Sequence, residues 1–231
     1  MVSKIKGMIA TLSIAVGLAL IMLFIRINRH RENGRCARNF CGLFLPFNNF
    51  ELEIFGHFDP SATLLMLNHQ SAADIIFLEG LHPQNICWIA KKQLGEIPFY
   101  GYALRGPEMI LIDREDKASL VYMMREAKKK LEQKRPLVIF PEGTRCKDET
   151  RFLKFKSGAK ILAEKLKLKV QPVVLIHSSR VYNSSPIESR GNKARIVILE
   201  AFEPNTPDWY ERLEHQMYAV YQRHFQELQD S

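Results

Sequence analysis

The sequence predicts an α/β protein with a largely parallel or mixed sheet, covered by helices on both faces and preceded by a hydrophobic membrane-anchoring helix. Three observations lead there. From residue 51 onward, short β-rich runs alternate with stretches of helical character. Three of the runs, LLML, LVIF and VVLI, are continuously apolar, as strands covered on both faces are. Near the N-terminus, 19 consecutive residues carry no charge.

That uncharged stretch, GMIATLSIAVGLALIMLFI at 7–25, would run about 28 Å as a helix, close to the roughly 30 Å hydrocarbon thickness of a bilayer. It is longer than the apolar region of a cleaved signal peptide and runs into Arg26 rather than a small-x-small site, so an uncleaved anchor is expected. Residues 1–48 then form an anchoring segment with a basic linker, and 49–231 a folded body. Whether the helix crosses the bilayer or lies in one leaflet stays open. A second apolar patch at 40–47, FCGLFLPF, is placed to dip back into the interface. Lys4 and Lys6 precede the helix and Arg26, Arg29, Arg31, Arg35 and Arg38 follow it, which puts the body on the cytoplasmic side of an inner membrane. Such arginines attract anionic headgroups by about 1 kcal/mol each.

Charge is distributed to match. Of a net +8, residues 1–38 carry +6, from seven bases against Glu32; the remaining 193 residues hold 26 bases and 24 acids. A nucleic-acid-binding surface would spread its excess over the body, so no nucleic-acid partner is expected. The four cysteines form no C-x-x-C pair, which excludes a zinc ribbon, disfavours a disulfide scaffold and suits a reducing compartment.

In the body, strands are expected at 51–55, 63–67, 85–90, 109–112, 137–140, 170–176 and 194–202. Helices are expected at 72–80, 91–104, 116–134 and 157–168. A long C-terminal helix follows. Thr206 is placed to cap it and Pro207 suits its first turn, while Trp209, Leu213, Met217, Val220, Tyr221, Phe225 and Leu228 recur at helical spacing as a packing stripe.

Three segments at strand ends carry chemistry. Asn68-His69-Gln70-Ser71-Ala72-Ala73-Asp74 follows LLML. Five residues correspond to 140° of helix rotation, so His69 and Asp74 meet only if the histidine lies in a turn and the aspartate, one turn into the helix, reaches back. That geometry fixes the imidazole tautomer, as a general base requires. The plainer alternative is a capping box with Ser71 as cap and Asp74 as its acid. Phe140-Pro141-Glu142-Gly143-Thr144-Arg145 follows LVIF and suits an anion, through close backbone approach at glycine and a guanidinium clamp, or else is a turn closed by a surface Arg–Glu pair. Leu111-Ile112-Asp113-Arg114 is again a strand ending in charge.

Together NHQSAAD, LIDR and FPEGTR, in that order after a hydrophobic helix, resemble the glycerolipid acyltransferases, and within them the 1-acylglycerol-3-phosphate acyltransferases. Lys91-Lys92 with Ile97-Pro98-Phe99, Phe155-Lys156-Ser157-Gly158-Ala159 and Pro172-Val173 add to a resemblance covering roughly residues 50 to 204. Two blocks depart from the family pattern. Glu108 stands where glycine is expected and Leu111 where phenylalanine is, with Gly106 two places early; Gln171 replaces a hydrophobic residue or proline.

The resemblance implies transfer of a fatty acyl group from acyl-CoA or acyl-acyl carrier protein to the sn-2 hydroxyl of lysophosphatidic acid, giving phosphatidic acid. His69 would be the base and Asp74 its orienting partner. Arg114, Glu142, Gly143, Thr144 and Arg145 would hold the acceptor's phosphate, with Glu142 fixing an arginine fork or bonding a glycerol hydroxyl. No cofactor is implied beyond the thioester co-substrate. No metal is expected either, since two ligands are too few. Membrane lipids are the remaining partner. Rival readings are a Cys146 nucleophile, a related enzyme with another acceptor, and a non-enzymatic lipid-binding protein on the same fold.

Overall fold

The computed structural model describes residues 1–113 and 118–230. Its helices are α1 (Val2–Asn28), α2 (Arg35–Asn39), α3 (Phe44–Phe47), α4 (Ala73–Leu81), α5 (Lys92–Glu96), α6 (Tyr102–Arg105), α7 (Ala118–Glu132), α8 (Ser157–Leu166), α9 (Ser178–Val181) and α10 (Trp209–Gln229). Its strands are β1 (Glu51–Phe55), β2 (Leu64–Leu67), β3 (Cys87–Lys91), β4 (Ile110–Ile112), β5 (Leu137–Ile139), β6 (Val170–Ile176), β7 (Asn183–Ser184), β8 (Ile187–Glu188) and β9 (Lys193–Ile198).

Seven strands form one mixed sheet in the order β1-β9-β6-β2-β5-β3-β4. All neighbours are parallel except β6 and β9, which pair antiparallel. The apolar runs lie at its centre: every residue of β2, β5 and β6 is buried, which demands cover on both faces. On β6 the C-terminal helix lays its stripe, with Trp209, Leu213, Met217, Tyr221, Phe225 and Leu228 all buried. Because β2, β6, β5, β3 and β4 run the same way, their C-terminal ends gather at one edge of the sheet, where the motif segments emerge.

Four expectations change. The helix expected at 91–104 is two short ones, because β3 runs on to Lys91 and Ile97-Pro98-Phe99 interrupts the helical path. Pro98 holds Ile97 extended, and Phe99 adopts φ 67. The C-terminal helix begins at Trp209 without a side-chain cap, so Thr206 does not cap it. The small β7–β8 hairpin was not expected, since two-residue strands leave no alternation to read. Finally, two of the five arginines that follow the uncharged stretch do not face lipid. Arg35 and Arg38 are buried, with Nη1 atoms 2.8 and 2.6 Å from the two carboxylate oxygens of Glu79, which also accepts the Trp88 indole N–H at 2.8 Å.

The departures from the family pattern have local explanations. Glu108 sits at φ 57, the left-handed conformation a glycine would take freely. The strain, of order 1–2 kcal/mol, is offset in part by its ion pair with Lys130 at 2.9 Å. Gln171 is buried but fully used. It accepts the Asp59 N–H and donates to the carbonyls of His57 and Leu199, each at 3.0 Å.

By length and composition α1 suffices to cross a membrane. It lies along the body, however, and is held at both ends. The Ser189 N–H donates to the Ser3 carbonyl at 3.0 Å, and Gly7 lies where any Cβ would strike the Glu188 backbone. Thr11 Oγ1 meets the Tyr182 hydroxyl at 3.1 Å, and Ser13 donates to Asn48 Oδ1 at 2.6 Å. At the far end Ile25 packs against Gly34 and Gly106. The opposite stripe, including Ile5, Met8, Ile9, Leu12, Val16, Leu20, Leu23 and Ile27, is exposed, as are Phe40, Leu43 and Phe47 after it.

Candidate active site

The site begins where β2 stops. Asn68, fully buried, turns its side chain toward β6, donating to the Leu175 carbonyl at 2.8 Å and accepting the Leu175 N–H at 2.7 Å. Its amide thus replaces the ladder while the main chain leaves the sheet, and the next residue, His69, falls in the turn.

Asp74, the second residue of α4, reaches back to that turn. A single oxygen, Oδ2, accepts from His69 Nδ1 at 2.8 Å and from the backbone N–H groups of Gln70 and Ser71 at 2.8 and 2.9 Å. Ser71 Oγ in turn accepts the Ala73 N–H at 3.0 Å and donates to the Tyr182 carbonyl. The capping box and the histidine–carboxylate pair were alternatives in the sequence. In the structure one carboxylate serves both, so the cap that starts the helix also aims the imidazole. With Nδ1 engaged, the ring presents Nε2. One of its faces stacks on Phe140, with centroids 3.7 Å apart and planes 10° from parallel.

The segment after β5 grips the same residue. Glu142 is buried and accepts the His69 N–H on Oε1 and the Leu153 N–H on Oε2, both at 2.7 Å. Among the described residues no arginine bonds this carboxylate, and a backbone donor engages each of its oxygens. Burial pushes its carboxyl up to about 7, with the Asp74 charge adding to the rise and the two backbone donors opposing it. Cys146 closes the loop by donating its N–H to the His69 carbonyl at 2.7 Å. Gly143, Thr144 and Arg145 are thus suspended between two attachments to His69. Gly143 takes φ 74, which a side chain would strain, and Thr144 and Arg145 are exposed. Arg145 Nη1 donates to Ser184 Oγ of the β7–β8 hairpin at 2.9 Å. Its charge also opposes the rise that burial imposes on the Tyr100 hydroxyl.

Arg114 lies outside the described residues; Asp113 before it is half-buried, its N–H donating to Ser119 Oγ at 3.2 Å. The Cys146 thiol is buried and pushed up by that burial, the opposite of what a nucleophilic thiolate needs. All four cysteines are free. Among the described residues no group of three or more His, Cys, Asp or Glu could hold a metal.

Two residues join the site without having been singled out as site residues. Gln70 Nε2 donates to the Tyr221 hydroxyl at 2.7 Å, and that hydroxyl donates to the Glu149 carbonyl. Tyr221 reads only as part of a packing stripe, because 151 residues separate it from its partner. Gln70 was visible in the NHQS block, though nothing local told its role.

Comparison with known proteins covers both the segment and the whole chain. The Acyltransferase family model matches residues 57–176, which hold every residue of the site apart from Tyr182, Ser184 and Tyr221. A 1-acyl-sn-glycerol-3-phosphate acyltransferase of Helicobacter pylori is 51% identical over 228 residues, 98% of this chain and 96% of that one. A protein of the same name from Cocos nucifera is 29% identical over 180 residues, 74% of this chain and 56% of its own. In three dimensions the chain resembles the 1-acyl-sn-glycerophosphate (LPA) acyltransferase PlsC of Thermotoga maritima. The TM-score is 0.75 at 24% identity, over 99% of this chain and 98% of that one, a likeness of fold.

Proposed function

Because this chain belongs to the acyltransferase family, we propose that it moves a fatty acyl group from an acyl thioester to the sn-2 hydroxyl of 1-acyl-sn-glycerol 3-phosphate, giving phosphatidic acid. The observation that carries this reading is the 2.8 Å contact of His69 Nδ1 with Asp74, in a chain 51% identical over nearly its whole length to an enzyme of that name.

A thioester is already activated, so the difficulty lies in the alcohol. His69 Nε2 takes the hydroxyl proton as the oxygen attacks the thioester carbonyl, an effect typically worth about 10²–10⁴-fold. The new C–O bond forms, the tetrahedral intermediate collapses with loss of the C–S bond, and the imidazolium returns its proton to the departing thiolate. Asp74 holds the imidazole with its proton on Nδ1 and stabilises the cation between the two transfers. Glu142 fixes the main chain from which the base projects. Gly143, Thr144 and Arg145, with Arg114, hold the acceptor's phosphate, and the exposure of Arg145 beside this loop supports that role. Acyl-CoA and acyl-acyl carrier protein both meet the chemical requirement for a donor, and no cofactor is called for.

The acceptor and product are amphiphiles, and α1 brings the site to them. A 27-residue helix attached to the body near both ends spans about 40 Å alongside it. In this reading α1 lies along one leaflet, with its exposed apolar stripe, Phe40, Leu43 and Phe47 entering the acyl region. Free cysteines and the basic N-terminal segment support the cytoplasmic face of an inner membrane.

The test is direct. Purified full-length protein receives labelled acyl thioester and a panel of acceptors: lysophosphatidate, other lysophospholipids and glycerol 3-phosphate. Label in the sn-2 position of phosphatidate is the expected product; labelling of another acceptor alone would overturn the assignment.

A further inference from the structure

We propose a second phosphate-binding site, separate from the His69 centre, in the small polar cavity where α1 meets the loop before β4. The cavity, of about 180 Å³, is lined by Arg29, His30, Arg105, Gly106 and Glu108. This inference goes beyond the acyl-transfer reading and does not rest on it.

Its position is set by topology. Strands β2, β5, β3 and β4 are parallel, and His69 and Glu142 follow the C-terminal ends of β2 and β5. Gly106 and Glu108 precede Ile110, the first residue of β4, so they lie at the opposite end of the sheet. There α1 ends: Ile25 packs on Gly106, and Arg29 and His30 follow directly after the helix. Leu23 and Ile27, one turn earlier, are more than half exposed, at 54% and 64%. The cavity therefore opens where the exposed apolar stripe of α1 gives way to cations.

Its chemistry suits a phosphate oxygen. Among the described residues neither the Arg29 nor the Arg105 guanidinium has a hydrogen-bond or ion-pair partner, so both forks are available to a tetrahedral anion. The one acid in the wall is already neutralised, its carboxylate 2.9 Å from Lys130 Nζ. The ligand is a phosphate group, borne either by a lipid headgroup or by free phosphate.

The test is vesicle binding by the full-length protein, comparing phosphatidylcholine vesicles with phosphatidylcholine vesicles containing phosphatidic acid. Arg29→Gln and Arg105→Gln are each expected to weaken the preference for the anionic vesicles by about thirtyfold or more, because a charge-assisted hydrogen bond is lost together with the general headgroup attraction. Arg31→Gln removes an exposed charge outside the cavity and is expected to lose the general attraction alone, about fivefold. If Arg31→Gln costs as much as Arg29→Gln, the attraction is diffuse surface charge and the site is refuted; so it is if neither cavity variant alters the preference. Inorganic phosphate distinguishes the two sources. Competition that abolishes the Arg29-dependent preference assigns the cavity to the phosphate group itself, and an unchanged preference assigns it to the lipid-borne form. Acyl transfer to detergent-dispersed lysophosphatidate, at the other end of the sheet, reports that the variants are folded, and the binding readout holds whatever reaction the His69 site performs.

Discussion

The buried carboxylate of Glu142 accepts the backbone N–H of His69 at 2.7 Å. Since Cys146 donates to the carbonyl of that same histidine, the Glu-Gly-Thr-Arg loop and the base are one mechanical unit. The loop that would grip the acceptor's phosphate and the ring that would deprotonate its hydroxyl cannot move apart without breaking these bonds. Positioning of this kind turns an encounter into an oriented reaction.

Asp74→Asn tests the base. The amide keeps the volume but presents an N–H where Oδ2 now takes three donors, so the imidazole loses its tautomer and the turn one of its closures. Turnover is expected to fall about 10²–10⁴-fold, as is that of His69→Ala, with lysophosphatidate binding largely kept. Steady-state rates with labelled thioester, beside equilibrium binding of the acceptor, check both. A His69→Ala enzyme retaining more than about a tenth of normal rate would remove the general base from the mechanism.

Glu142 gives a pH signature. Its folded carboxyl is raised from 4.5 to about 7 by burial, so between those values the native state holds a proton that the unfolded chain has released. Stability conferred by the neutral form is therefore complete below about pH 4.5 and declines as pH rises toward 7, by up to about 3 kcal/mol, then levels off. Glu142→Gln removes the titration and is expected to melt at nearly the same temperature across that window. It also loses one of the two backbone acceptors and lowers turnover. Thermal melts at about pH 5 and about pH 8 for both proteins decide it; equal slopes would exclude Glu142 as the titrating group.

Arg145→Ala separates phosphate recognition from donor binding. If the guanidinium holds the acceptor's phosphate, KM for lysophosphatidate rises about tenfold or more while KM for the thioester stays within about twofold. Equal losses for the two substrates would assign Arg145 to the donor or to the fold. Ser184→Ala, which removes its 2.9 Å partner, is expected to give a smaller change in the same direction.

Much of this was legible in the chain because its signals were local. LLML, LVIF and VVLI needed only their composition to read as central strands, and helix geometry set the condition under which His69 meets Asp74, a histidine in the turn with the aspartate reaching back, while a capping box stood beside it as the plainer alternative. What was hidden depends on partners far along the chain. Glu142 reads as the partner of an arginine fork or a glycerol hydroxyl, or as half of a surface Arg–Glu pair, until the backbone of His69, 73 residues earlier, supplies its donor. Tyr221 reads as stripe until Gln70 meets its hydroxyl. The left-handed turn at Glu108 was masked by a residue type that rarely adopts it, and only the family's glycine at that place hinted at it. Arg35 and Arg38 follow a membrane helix and so read as headgroup ligands, although their partner is Glu79, more than 40 residues on.

That last network carries a prediction about how the anchor is joined to the body. Burial pulls the Arg35 guanidinium below its ordinary value against the opposing pull of Glu79, so the pair is held by its geometry in spite of desolvation. Glu79→Ala leaves two buried cations without a counter-charge and the Trp88 indole without an acceptor, and is expected to destabilise the protein by about 3–5 kcal/mol. Replacing all three charges with apolar residues of similar volume, Arg35→Met, Arg38→Met and Glu79→Leu together, is expected to do far less damage, because no charge is then stranded. Chemical denaturation of the three proteins in one detergent gives the comparison. If the triple variant is no more stable than Glu79→Ala, the network holds the linker by specific pairing, and the desolvation argument fails.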